Sequence, residues 1–186
     1  MKFINEFGKY VAFAGFREVR ISDVDFFIKE VRSKLDSRVV YQFFNANFVA
    51  TWKHLFFAVL NALKAFESGS NISRSLAIEI LLYASAQRQI QKAMDLIGIT
   101  PKTTEIAVLV MGETTEQVES AFSLISNLIP GKRDDEVLSL SHEKIKALCE
   151  AFRISQNEIS AISNNNLEDA IVHLIIERMA LLAVQH

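Results

Sequence analysis

The hydrophobic period of this chain changes back and forth between two and about 3.6, and that alternation restricts the fold more than any other feature. YVAFAGFREVRI (10–21) is rich in aromatic and β-branched residues and is interrupted by Gly15, which reads as a strand carrying a bulge. RVVYQFF (38–44) reads as an interior strand and TTEIAVLVMG (103–112) as another. EVLSL (136–140) reads as a short edge strand, and PGKRDD (130–135) as a loop before it. Between these lie helical stripes. Val24, Phe27, Ile28, Val31 and Leu35 form one, opened by Ser22 and by acids at Asp23 and Asp25. Asn47 is the expected cap of a helix running to about Phe66, and SGSN (68–71) is a turn. Thr114 and Gln117 make a capping-box pattern for a helix with Val118, Ala121, Phe122 and Ile125 on one face. Helices are expected at 141–152, at 155–162 (opening with Ser155 and Glu158) and at 167–183, the last two separated by Asn164, Asn165 and Asn166. Strands interleaved with helices and then a helical tail predict a mixed α+β fold. We expect a small central sheet of about four strands, a helical C-terminal third, and one domain over 1–186.

Composition fits a packed globule: half of the residues are hydrophobic and 23% are charged. The net charge of −2 leaves any nucleic-acid site to a local patch. One cysteine, Cys149, excludes an internal disulfide and a Cys-rich zinc site; its helical spacing with Ile145, Leu148 and Phe152 reads as core. No apolar run reaches the roughly 18 residues of a membrane span, and no secretory leader pattern opens the chain, so a soluble cytoplasmic protein with no membrane partner is expected. The four histidines (54, 142, 173 and 186) show no metal-ligand spacing. Nucleophile-elbow and phosphate-loop motifs are missing, and every Gly falls where a turn, bulge or cap needs one. The expectation is a binding or regulatory chain with no catalytic residue, no metal, no cofactor and no small-molecule substrate. An enzyme with an unrecognised small-molecule pocket, and a purely protein-binding subunit, stay open as alternatives.

The first half of NISRSLAIEILLYASAQRQIQKAM (71–94) is apolar almost all round a helix, yet the segment carries Arg74, Glu79, Arg88 and Gln89. A cation in the first turn opposes the helix dipole, at about 0.3–1 kcal/mol. Arg74 therefore has two readings: an ion pair with a carboxylate such as Glu79, or a phosphate clamp beside the free N–H groups of the helix start. Glu79 needs a partner, and Arg74 and Arg88 are the nearest cations in sequence. Lys53, Phe57, Asn61 and Lys64 mix charge with an aromatic on one helical face, either a single-strand surface or an ordinary solvated face. His54 shares the opposite face with Ala58, Ala62 and Ala65 and reads as a hydrogen-bonded core residue. LEDAIVHLIIERMALLAV confines its acids and His173 to one narrow stripe, so that helix is either central or covered by a partner.

QFFNANFV (42–49), His54-Leu55 with Ala58, Ala62 and Ala65, the 71–94 segment, AVLVMG and LEDAIVHLIIERMALL together resemble the KEOPS subunit that binds the small kinase PRPK. The resemblance is to the TPRKB-like family, in an archaeal form, and it covers most of the chain. It departs from the family pattern at Ala86, where Gly is usual, and at Trp52-Lys53, where an acid precedes the His. The first departure predicts a smoother helix junction.

The resemblance implies a non-catalytic subunit that binds and regulates the PRPK-type kinase/ATPase. It implies support for threonylcarbamoyladenosine modification of ANN-decoding tRNAs, with tRNA recruited by its 3′ CCA end. On this reading Arg74 and Arg88 bracket an anion notch, joined by Lys53, Asn71, Ser73 and Gln89. The kinase contact is expected on Phe57, Ile175, Met179, Leu181 and Leu182.

Overall fold

The computed structural model describes residues 1–162 and 166–184. In chain order the elements are β1 (Lys2–Ile4), β2 (Lys9–Arg17), α1 (Val24–Lys34), β3 (Val40–Asn45), α2 (Trp52–Ser68), α3 (Leu76–Ser85), α4 (Ile90–Ile97), β4 (Ile106–Gly112), α5 (Thr115–Leu128), β5 (Lys132–Arg133), α6 (His142–Ala151), α7 (Gln156–Ile162) and α8 (Leu167–Val184). This is the expected mixed α+β chain with a helical C-terminal third. The sheet has a fifth strand, because Lys132 and Arg133, expected in a loop, pair with Arg17 and Phe16. The stretch expected as an edge strand at 136–140 instead begins in a 3-10 turn, Asp135–Leu138. Asp134 Oδ1 accepts the N–H of Glu136 at 3.0 Å, a local bond that competes with strand pairing. The described residues form two compact units, one of residues 1–45 and 99–137 and one of residues 46–98 and 138 onward.

The first unit is an antiparallel sheet in the order β1-β2-β4-β3, with β5 also on β2. β4 pairs on both sides and all seven of its residues are buried, which explains an apolar run without alternation. β3 pairs with β4 alone and lies at the end of that order, so it is an edge strand and not the interior strand its apolar sequence suggested. The β2–β4 register runs unbroken from Tyr10↔Gly112 to Phe16↔Ile106, so Gly15 makes no bulge. It is needed for a close approach: a Cβ there would lie 2.5 Å from the carbonyl oxygen of Asp134. Ala14, Phe16, Phe43, Val108 and Val110 pack with Phe27, Val31, Val118 and Ile125 in one core under α1 and α5. Burying each large apolar side chain contributes about 1.5–3 kcal/mol. Asp23 caps α1 by accepting from Phe26 N, and Thr114 with Gln117 forms the expected capping box of α5.

The second unit is helical. Thr51, and not Asn47, caps α2, because Ala46–Phe48 forms a 3-10 turn and the Thr51 hydroxyl accepts from Lys53 N at 3.2 Å. α2 and α3 form an antiparallel pair, with the buried Ala58, Ala62 and Ala65 on α2. Leu148, Phe152, Ile159, Ile171 and Ile175 belong to a second core shared by α6, α7 and α8. α8 is central to this unit: Ile171, Ile175, Met179 and Leu182 are buried, while Asp169, His173 and Glu177 are exposed. Of the three asparagines before it, Asn164 and Asn165 lie outside the described residues; Asn166 Oδ1 accepts the N–H of Asp169 at 3.2 Å.

Candidate nucleic-acid and partner interface

Both helices of the apolar 71–94 segment belong to the second unit, and its charged residues are explained one by one. α3 begins at Leu76, so Arg74 precedes the helix and does not occupy its first turn. Glu79 does occupy it, fully buried. Its carboxylate takes the backbone N–H of Ile72, 3.1 Å from each oxygen, and that of Ser73 at 2.7 Å. The partner that Glu79 requires is therefore the backbone of the turn before α3 and not an arginine. Asn71 donates to the carbonyl of Ser73 at 3.0 Å, and the Ser73 hydroxyl accepts the N–H of Ser75 at 3.1 Å. Those two side chains shape the turn, and Arg74 stands exposed at its outside.

Arg88 lies beyond the other end of α3. Ten residues at 1.5 Å each make α3 about 15 Å long, so the two arginines sit at opposite ends and do not bracket one small notch. Arg88 Nη1 donates to the carbonyl of Leu182 at 3.3 Å, which ties the junction to the end of α8. Gln89 is exposed at the N-terminal boundary of α4. Lys53 is exposed on the first turn of α2, beside a ladder in which Trp52, Phe56 and Phe57 meet edge to face at 6.1 Å.

The expected smoother junction is not found. Ala86 has φ 51°, the left-handed conformation in which Gly is favoured. The N–H of Gln87 reaches back to the carbonyl of Leu82 at 3.0 Å and that of Ala86 to Tyr83 at 2.9 Å, closing the helix end. Ala86 borders an open cleft of about 660 Å³ whose charged lining is Lys92, Asp95, Arg153 and Arg178. None of those four was singled out by sequence, because they come from segments far apart in the chain.

Of the residues expected to meet a kinase, Phe57 and Leu181 are exposed. Ile175, Met179 and Leu182 are buried inside their own unit, so these three supply packing and cannot form a surface. Other apolar residues are exposed as well: on α4, Ala93 and Ile97 are buried, whereas Ile90 and Met94 are exposed.

His54 is a satisfied core residue. Nδ1 accepts the N–H of Ala50 at 3.2 Å, which puts the ring proton on Nε2, 2.7 Å from the carbonyl oxygen of Ala84. Burial pushes its pKa down to about 4, with the Lys144 ammonium adding to the shift in the same direction. Lys144 is itself buried, and its ammonium donates to the carbonyl of Ser139 at 3.2 Å. The Cys149 thiol is half-buried against the second core, and burial raises its pKa, which makes it a poor nucleophile. Among the described residues no group of His, Cys, Asp or Glu is placed to hold a metal ion.

The family model of the kinase binding protein CGI-121 matches residues 16–183. The chain belongs to the CGI-121 family. It is also 36% identical, over 114 residues, to the regulatory protein Cgi121 of the archaeon Methanocaldococcus jannaschii, an alignment spanning 61% of this chain and 70% of that one. As a CGI-121 protein it is a member of a kinase-binding, regulatory family of archaeal TPRKB-like type, as the 42–49, 71–94 and 167–182 segments implied. No helix among the described residues is long and apolar enough to cross a membrane.

Proposed function

We propose that the chain is a non-catalytic subunit of a KEOPS-type complex, which binds and regulates a PRPK-type kinase/ATPase and helps recruit ANN-decoding tRNA by its 3′ CCA end for threonylcarbamoyladenosine modification. The kinase half of the reading rests on the family match over 16–183. The tRNA half is carried by one observation: in a chain of net charge −2, Arg88 and Gln89 stand exposed at a junction fastened to α8, beside a cleft that also presents Lys92 and Arg153. A local patch of this kind suits a single-stranded RNA end better than a duplex footprint. Arg74, with Lys53, supplies further cations on the same unit and contacts the RNA at separate points. The kinase docks on exposed apolar side chains, Phe57 and Leu181 among them. The working environment is the cytoplasm.

The test is tRNA binding by Arg88→Ala and Arg74→Ala, each checked for folding by thermal melting. Each should lower affinity by about 1–3 kcal/mol, the scale for one hydrogen bond to a charged group. Folded variants that bind full-length tRNA as well as the wild type would refute the nucleic-acid half. Separately, the purified chain should not hydrolyse ATP or modify adenosine unless the kinase and ligase subunits are added; turnover by the chain alone would refute the non-catalytic half.

A further inference from the structure

Three helices of the second unit end with a left-handed residue: α2 at Gly69, α3 at Ala86 and α6 at Arg153. In each the next N–H reaches back five residues, Ser70 to Ala65, Gln87 to Leu82 and Ile154 to Cys149. Glycine is the residue this closure favours, and a side chain there strains the backbone. Only α2 uses it. The two closures that keep a side chain, Ala86 and Arg153, line the same cleft.

The turn at Arg153 is also held from outside. Arg178 of α8 donates to the carbonyl oxygen of Arg153 at 3.5 Å, while the same nitrogen donates to Glu158 Oε1 at 2.5 Å. The other oxygen of Glu158 accepts the N–H and the hydroxyl of Ser155, both at 2.8 Å. One carboxylate thus caps α7 and anchors a guanidinium that grips the strained turn. Arg178 is neutralised by Glu158, and Asp95 accepts from Gln91 at 2.8 Å. Lys92 and Arg153 are left as the cations the cleft offers to a ligand.

We propose that this cleft is a phosphate-binding site in which Arg153 and Lys92 contact the phosphate oxygens and the Glu158–Arg178 pair positions Arg153. The strained arginine is retained for its guanidinium, which binds phosphate through paired N–H groups. The site adjoins the Arg88 junction and so deepens the tRNA reading, and its pyrophosphate arm tests it apart from that reading.

Arg153→Gly separates the two roles, because relief of backbone strain and loss of the ligand cation act on different readouts. Its melting temperature should rise by roughly 2–4 °C, since Gly takes the left-handed conformation without penalty. Its affinity for inorganic pyrophosphate, titrated calorimetrically into the whole chain at low salt, should fall about tenfold or more. A single-stranded RNA ending in CCA forms the second arm. Loss of both ligands in Arg153→Gly assigns the site to an RNA phosphate, and loss of pyrophosphate alone assigns it to a free phosphate compound. A wild-type chain that binds neither, or an Arg153→Gly chain that binds both as tightly as wild type, overturns the proposal.

Discussion

The Glu79 carboxylate accepts the backbone N–H of Ser73 at 2.7 Å, so the start of α3 carries its own buried anion. The same carboxylate takes the N–H of Ile72, and the turn it ties down is the one that presents Arg74. Glu79→Gln keeps the size but loses the charge on bonds to two N–H groups. It should destabilise the chain by about 1–3 kcal/mol in urea unfolding. An unchanged midpoint would show that these bonds do not hold the turn.

Ala86→Gly should stabilise the chain by about 0.5–1 kcal/mol, because φ 51° suits Gly and strains Ala. The expected shift in melting temperature is about 2 °C upward. A drop would mean that the Ala86 methyl, which packs against the second core, contributes more than the strain removes.

How far these residues could be foreseen follows from the range of the forces on them. β4 and the capping box of α5 were legible because periodicity and caps act over a few residues. Arg74 was misplaced because a carboxylate seven residues downstream of Ile72 sets where α3 begins, a bond invisible to a periodicity argument. Asn47 lost the cap of α2 to Thr51 once 46–48 closed into a turn of its own. Ile175, Met179 and Leu182 looked like a docking surface because an apolar helix reads alike whether its own unit or a partner covers it. The cleft was out of reach, since Lys92, Arg153 and Arg178 come from three separate helical segments. Ser155 and Glu158 were read as a cap, but the second bond of Glu158, to Arg178, was not.

His54 makes stability depend on pH. Its pKa falls from an ordinary 6.5 to about 4 on folding, so the native state disfavours the proton. The stabilisation is complete above about pH 6.5 and is lost as pH falls from there through about 4. Between pH 7.5 and 5 the chain should lose about 2 kcal/mol of unfolding free energy from this group. Asp36 and Glu158, each held near 2 by hydrogen bonds, act at lower pH. Urea unfolding at the two pH values checks this, with His54→Gln as the comparison. The variant should show a flatter dependence, and an equal loss in both chains would place the effect elsewhere.

Met179 and Leu181 separate packing from docking on α8. Met179→Ala should cost about 2–5 kcal/mol of stability, as for a buried side chain, whereas Leu181→Glu should leave stability nearly unchanged. If Leu181 meets the kinase, that second variant should bind the cognate PRPK-type kinase at least tenfold more weakly in calorimetric titration. Full affinity would place the kinase on another surface, such as the exposed pair Ile90 and Met94.

The account of the chain as a tRNA-recruiting subunit rests most directly on one comparison, the binding of wild-type protein to the same tRNA with and without its CCA end, measured across a salt series. The account predicts that removing CCA weakens binding at least tenfold, and that affinity for the full-length tRNA falls only gently with salt, as a contact with a few phosphates requires. Equal affinity for the two tRNAs, or a steep salt dependence unaffected by losing CCA, would contradict it.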